Sequence, residues 1–221
     1  MSEQFDNAMM LARDAYRANN EEECKSFCNQ ALTVDPKSAN AKALKGAAVL
    51  ISFSLAGAES DAVEAIEIWR SISDASSLSD EYKDIVIEAA FEFRTRWYDA
   101  AKAHYKEFKE VDGTKAEWKS VQQAYNTFME CVSTLGWIQD YPKFLQQTLN
   151  LIQKGVVEDV AFAQALINVN SGKSGEVGEL TKKIEEEFTA LKKRVLKTNL
   201  IIAGVIAVVV IILMIIGHFT E

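Results

Sequence analysis

Two cysteines spaced four residues apart are the first side chains whose types and spacing could do chemistry. Cys24 and Cys28 fall on one face of a predicted helix, where two thiols could bind a metal ion or form a redox couple. A zinc site needs about four ligands, and the two histidines, His104 and His218, lie far along the chain. We therefore expect Cys24 and Cys28 to be small core residues rather than a metal or redox site. With Cys131 the cysteine count is odd, which is typical of a reducing compartment.

Two other short motifs also fall short of a catalytic site. Gly172-Lys173-Ser174 matches the end of a phosphate-binding loop, but Ile167 stands where that motif needs its first glycine. No apolar strand precedes it, so we interpret it as a linker. His104 lies on the apolar face of a predicted helix without an evident nucleophile or carboxylate partner. We expect no enzyme, and neither a metal nor another cofactor.

The overall composition predicts an all-α protein. The chain has 221 residues, a formal net charge of -8 and only two prolines, Pro36 and Pro142. A β-rich domain needs many turns, so few prolines and glycines favour helices. The acidic balance also argues against binding nucleic acid by bulk charge.

One segment is apolar enough to cross a membrane. From Leu200 to Gly217 no side chain is charged, and a helix of this length spans about 27 Å, close to the hydrocarbon thickness of a bilayer. We predict a single transmembrane helix over residues 199–218, and the residues that mark it are Leu200, Gly204, Val208, Ile212 and Gly217. A buried core helix is the alternative, but such a helix would normally carry a polar stripe.

The flanks of this segment predict its orientation. Basic residues precede it, namely Lys192, Lys193, Arg194 and Lys197. Because basic flanks stay on the cytoplasmic side, we expect a single-pass, tail-anchored protein whose N-terminal part faces the cytoplasm. The nearly uncharged end favours the endoplasmic reticulum or a bacterial inner membrane. The spacing of Ala203 and Ala207 lets two such helices approach, so a weak homo-oligomer is a further expectation.

The remaining chain divides into helical segments. We expect helical repeats over residues 1–75, a helical hairpin with further helices over 76–169, a glycine-rich hinge over 170–178 and a juxtamembrane amphipathic helix over 179–198. The hairpin is predicted from apolar residues three and four positions apart, first from Val86 to Val111 and then from Trp118 to Leu135.

Local signals set several boundaries. Asn20 and Glu23 have the spacing of a helix N-cap and its reciprocal partner. Proline disfavours a helical residue before it, so Asp35 ends the second helix. Pro36 then opens a third, which we place over residues 37–56, with a fourth over 59–73.

The stretch from Ala8 to Pro36 resembles a tetratricopeptide repeat, which is a pair of antiparallel helices in 34 residues. The matching residues of this first unit are Leu11, Ala12, Cys24, Cys28, Ala31, Leu32 and Pro36. A second, degenerate unit places Gly46 in its first helix and Ala65 and Trp69 in its second. The resemblance covers about a third of the chain and implies a helical scaffold that binds peptides or protein surfaces.

One branch of that family binds chaperone C-termini through a carboxylate clamp of Lys and Asn residues. The matching positions here are Met9, Arg13 and Leu44, so the resemblance does not imply this clamp. Arg13 remains a candidate partner-binding residue. A repeat-like domain joined to a tail anchor also looks like the mitochondrial fission adaptor family in its layout.

Phe91 and Tyr98 are the other candidate partner-binding residues. They lie seven residues apart and off the main apolar stripe, so they form either a partner-binding patch or a contact with the N-terminal repeats. We predict a membrane-anchored, cytoplasm-facing adaptor that binds a protein or peptide partner. The alternative is a SNARE-like tethering protein that uses the juxtamembrane helix.

Overall fold

The computed structural model is all-helical over the residues it describes, which confirms the predicted all-α class. It describes the backbone of residues 2–107, 114–155 and 160–218, and the side chains of residues 2–104, 118–155 and 160–199. Its helices in chain order are α1 (Glu3–Arg17), α2 (Glu21–Val34), α3 (Ala39–Val49), α4 (Ala58–Arg70), α5 (Asp80–Glu107), α6 (Thr114–Ser133), α7 (Pro142–Gln153), α8 (Ala163–Asn170) and α9 (Gly175–His218), with a 3-10 turn at Ala75–Ser77.

Short polar side chains begin and separate the first helices. The Ser2 hydroxyl accepts a hydrogen bond from the Phe5 amide and caps α1. Asn19 adopts a φ of +55°, a left-handed conformation that asparagine tolerates, and so turns the chain between α1 and α2. Asn20 then caps α2, because its side-chain oxygen accepts from the Glu23 amide at 3.2 Å. The predicted N-cap is confirmed.

The third helix differs from its predicted bounds of residues 37–56. It begins at Ala39 because Ser38, rather than Pro36, supplies the cap, and the Ser38 hydroxyl accepts from the Ala41 amide at 3.3 Å. It ends at Val49, since Arg96 of α5 donates to the carbonyls of Leu50 and Ile51 at 2.5 and 2.7 Å. A tertiary contact therefore ends α3 where the local sequence gives no stop signal.

Successive helices pack in an ordered series. α1 packs on α2, α2 on α3 and α3 on α4, while α3 also contacts α1 and α5. The pattern continues with α5 against α6, α4 against α6, α5 against α7 and α6 against α8. α3 is consequently surrounded, and most of its side chains are buried.

The first half of α9 is docked on the domain. It packs against α7 and α8 through the side chains of Leu180, Ile184, Phe188 and Leu191, all of which are buried. α8 runs through Asn170 and α9 starts at Gly175, so the non-helical connection is residues 171–174, within the predicted hinge of 170–178. The docked contacts hold this half of α9 in a defined position.

The backbone of α9 continues as one helix of 44 residues. Within the part of the chain whose side chains are described, no helix is both long and apolar enough to cross a membrane. The predicted span lies outside that part beyond Asn199, and this includes Leu200, Gly204, Val208, Ile212, Gly217 and the pair Ala203 and Ala207. Residues 108–113, which include the end of the first predicted hairpin stripe at Val111, also lie outside the described residues.

Candidate interaction surfaces

The two thiols in α2 form part of the helix interface. Cys24 and Cys28 are both fully buried and lie about one turn apart on α2. The neighbouring Cys24 thiol and the burial of the side chain raise the pKa of Cys28. Among the described residues no group of three or more His, Cys, Asp or Glu side chains could hold a metal ion. The burial of Cys24 and Cys28 in the helix interface therefore favours a role in packing.

The Gly172-Lys173-Ser174 motif makes the turn between α8 and α9. Gly172 has a φ of +82°, a conformation that favours glycine. Lys173 forms an ion pair with Asp140 at 3.1 Å, which ties the turn to the residues before α7. His104, which the sequence places on the apolar face of α5, is exposed, whereas Ala101 one turn before it is buried.

Arg13, one of the predicted partner-binding residues, lies where α1 approaches the start of α5. Its guanidinium is 3.4 Å from the carboxylate of Glu81, and about a third of the side chain is exposed. The other two positions that match the carboxylate clamp, Met9 and Leu44, are buried in the core. Of these three positions, Arg13 is therefore the one that could bind the carboxylate of a peptide, and it already lies beside the carboxylate of Glu81.

Phe91 and Tyr98 are both half-buried, and their rings contact different helices. Phe91 makes an edge contact with Phe144 of α7, with ring centroids 5.4 Å apart. The ring centroid of Tyr98 lies 6.1 Å from that of Tyr125 and 6.2 Å from that of Trp118, both on α6. Both rings thus contribute to the packing of α5 against α7 and α6.

A groove of about 480 Å³ lies between α5 and α7 beside Phe91. Its charged side chains are largely paired within the protein. Lys143 of α7 contacts Asp84 and Glu88 of α5 at 2.9 and 2.7 Å, and these contacts raise the pKa of Lys143 against the opposing effect of burial. Arg96 lies 3.9 Å from Glu92 and donates to the end of α3. These pairs stabilise the packing of α5.

A second groove, of about 370 Å³, lies between α4 and α6. Its floor is apolar, formed by Ile66 of α4, Trp97 of α5 and Phe128 of α6, each of which is almost fully buried. Val63 of α4 stands at its edge with 53% of its surface exposed. We name this region, which also includes Ala62, Ala124 and Cys131, the α4–α6 groove.

Sequence reasoning did not find the α4–α6 groove. Its floor comes from three helices that are distant in sequence, and Trp97 and Phe128 were assigned correctly to apolar stripes. A local signal was present at Val63, an apolar residue placed between Glu59 and Glu67 on the polar side of α4. Single exposed valines are common on protein surfaces. Val63 therefore indicates a groove only once the positions of α5 and α6 are known.

The basic residues before the predicted span are exposed on α9. Lys192, Lys193, Arg194 and Lys197 are all solvent-accessible, and Leu196 between them is 61% exposed. Lys192 lies 4.1 Å above the ring of Phe188 and donates to the side chain of Gln164 at 3.1 Å. Val195 still packs against the core, so the docked part of α9 reaches at least this residue, and the backbone of the helix continues beyond it to His218.

Comparison with known proteins assigns no function to these surfaces. No protein-family model matches the chain, and no match was found among curated proteins or among solved structures. The function is therefore inferred from the helices and grooves of this chain alone.

Proposed function

We propose that this protein is a non-enzymatic adaptor, held at the cytoplasmic face of a membrane by the apolar segment of α9, and that its helical domain binds a protein partner. The observation that carries the proposal is the course of α9. Its first half is docked on α7 and α8, and the same helix continues into residues that carry no charge from Leu200 to Gly217. An anchor of this kind confines the domain to a surface and so raises its effective concentration for partners there.

The packing order of the helices supports the scaffold part of the proposal. Each helical pair packs on the next, as in a tetratricopeptide-like array, and Gly46 of α3 lies directly against Trp69 of α4. In such arrays each repeat contacts only its neighbours and extended surfaces are left open for binding. The α4–α6 groove is one such open surface.

The tethering alternative requires a free apolar face on the juxtamembrane helix. A SNARE-like coiled coil would use residues 179–198, but Leu180, Ile184 and Phe188 are buried against α7 and α8. Pairing with another protein would first have to undock this face and expose those side chains to water. The docked arrangement therefore favours an adaptor over a tether.

The anchor can be tested without shortening the chain. Val208→Arg with Ile212→Arg places two charges near the centre of the predicted span, at a cost of about 2.5–3.5 kcal/mol each for insertion. We expect the fluorescently tagged wild-type chain to remain in membranes after alkaline carbonate extraction and the double variant to be released. Val208→Leu with Ile212→Leu is the matched control and should remain. Retention of the arginine variant would contradict membrane anchoring by this segment.

The adaptor role is tested by proximity labelling from the N-terminus. We expect the wild-type chain to label a defined set of membrane-associated proteins that the double arginine variant no longer labels. Equal labelling of the same proteins by both chains would show that the anchor is not needed for binding, and would exclude the adaptor mechanism.

A further inference from the structure

The α4–α6 groove differs from the other grooves in how its edge is built. Val63 exposes 53% of its surface beside a floor of Ile66, Trp97 and Phe128, so the lining is apolar at the floor and also at this point of the edge. The volume of about 370 Å³ is enough for a few side chains rather than a whole protein domain. The lining residues run from Glu59 to Arg70 along α4 and from Ser120 to Cys131 along α6, which is about 16 Å on each helix. A partly apolar groove between two helices is the kind of site that an amphipathic helix occupies in helix-in-groove recognition.

The charges along the groove indicate what kind of helix would fit. Glu59 and Glu67 flank Val63 on α4 and are exposed, and neither forms an ion pair with any side chain that the structure describes. They are eight residues apart, a separation of about 12 Å along the helix. By contrast, the nearby Glu64 is paired with Lys25 at 3.2 Å. Arg70, at the carboxyl end of α4, is the one basic residue among the described side chains that line the groove.

We propose that the α4–α6 groove binds an amphipathic helix of a partner protein, with apolar residues spaced three and four apart and lysine or arginine beside them. The apolar residues would cover Val63 and fill the groove above Trp97 and Phe128. The basic residues would lie opposite Glu59 and Glu67, where opposite charges across an interface favour encounter and fix register. This inference rests on the proposed adaptor function and names the partner class and the surface.

The chain contains a natural reporter for this groove. Cys131 lines it and is half-buried, whereas Cys24 and Cys28 are fully buried. A maleimide should therefore label Cys131 in the folded protein, and Cys131→Ser should abolish that labelling. A helix seated in the groove would cover the thiol and slow its reaction.

The experiment uses the full chain in a nonionic detergent. A displayed library of random 18-residue peptides is selected for binding, and the enriched peptides are sequenced, synthesised and tested. We expect apolar residues at helical spacing, more Lys and Arg than Asp and Glu, and a slowing of Cys131 labelling by at least fivefold. Val63→Asp should weaken binding by at least tenfold, while Val169→Asp, at an exposed valine of α8, should leave it unchanged.

Charge reversal makes the test specific for the partner class. The chain with Glu59→Lys and Glu67→Lys should select peptides in which acidic residues exceed basic ones. No enrichment, enrichment without a basic excess, or binding that leaves Cys131 labelling unchanged would each overturn the proposal. Because the selection does not involve a membrane, its failure would leave the carbonate and proximity-labelling tests of the adaptor function standing on their own.

Discussion

The interfaces among α1–α4 and the interface between α5 and α6 are packed in opposite ways. The first are built from small side chains such as Ala12, Cys28 and Ala47, which are fully or almost fully buried. The second is filled by large rings, among them Phe93, which makes edge contacts with three other aromatic rings. Small residues let helix backbones approach, whereas rings fill a wider space between them.

This difference predicts opposite responses to substitution. Close-packed interiors tolerate neither voids nor extra volume, but the sensitive direction depends on what fills the interface. Among α1–α4 we expect enlargement to be the damaging change, because little space remains between the helices. Between α5 and α6 we expect truncation to be damaging, because each ring fills space that its neighbours cannot reach.

Truncation of Phe93 should give the largest effect. Its ring is fully buried and lies 5.6 Å from Phe53, 5.7 Å from Trp97 and 5.6 Å from Phe128. Phe93→Ala should lower the free energy of unfolding by about 3–5 kcal/mol, because it removes buried apolar surface and leaves a cavity. Urea unfolding followed by circular dichroism would measure the change.

Phe91→Ala is the matched control, since Phe91 is on the same helix but half-buried, and among the described rings it contacts Phe144 alone. We expect Phe91→Ala to lower the free energy of unfolding by about half as much as Phe93→Ala does, or less, because the half-buried Phe91 ring buries less apolar surface. Equal losses for the two variants would show that the ring cluster around Phe93 does not dominate the packing of α5.

Enlargement of Gly46 tests the small-residue side of the comparison. A Cβ added there would lie 2.7 Å from Cδ1 of Trp69, inside the contact distance of real atoms, and the Trp69 ring is fully buried. Gly46→Ala should therefore lower the free energy of unfolding by about 1–3 kcal/mol. Helix propensity alone predicts the opposite sign, a gain of about 1 kcal/mol. The same urea titration separates the two outcomes.

Gly136→Ala is the control for this prediction, because a Cβ there meets nothing within 4 Å. We expect Gly136→Ala to leave the free energy of unfolding of the protein nearly unchanged. A double variant that combines Gly46→Ala with Trp69→Phe should lose less than the sum of the two single losses, because the smaller ring makes room for the methyl group. Additive losses would show that the glycine is not required by contact with Trp69.

Helix positions were predictable from the sequence where the signal was local. The Asn20 cap, the stripe from Val86 to Trp97 and the stripe through Tyr125 and Phe128 all depend on neighbours within a few turns. The end of α3 was not predictable in this way, because it is set by Arg96, which lies 45 residues beyond the Ile51 carbonyl that it binds. Pro36 was an ambiguous signal, since proline is tolerated at a helix start but does not require one.

The candidate surfaces were less predictable than the fold. Phe91 and Tyr98 share a helix and a seven-residue spacing, yet they pack on different neighbours, α7 and α6. The spacing on one helix left a partner-binding patch and a packing contact both open, because the exposure of each ring depends on the helices around it. Val63 shows the converse, because its exposure becomes significant only beside Trp97 and Phe128.

The smallest expected effect concerns the contact between the two regions. Tyr16 of α1 faces α5, and burial, together with the carboxylates of Glu92 and Glu88, raises the pKa of Tyr16 from 10.0 to about 12. The folded state then holds the phenolic proton more tightly than the unfolded state does. The resulting stability is complete below about pH 10 and is lost as the pH rises toward about 12.

By pH 11 this loss should be about 1 kcal/mol for Tyr16 alone. Tyr82 and Tyr141, whose pKa values burial also raises, add to the alkaline loss of the wild-type chain, so Tyr16→Phe is needed to isolate one tyrosine. We expect the variant to lose less stability than the wild-type chain between pH 8 and pH 11 in urea titrations. Equal losses would mean that Tyr16 ionises as freely in the folded protein as in water, and that α1 does not pack closely on α5 at this point.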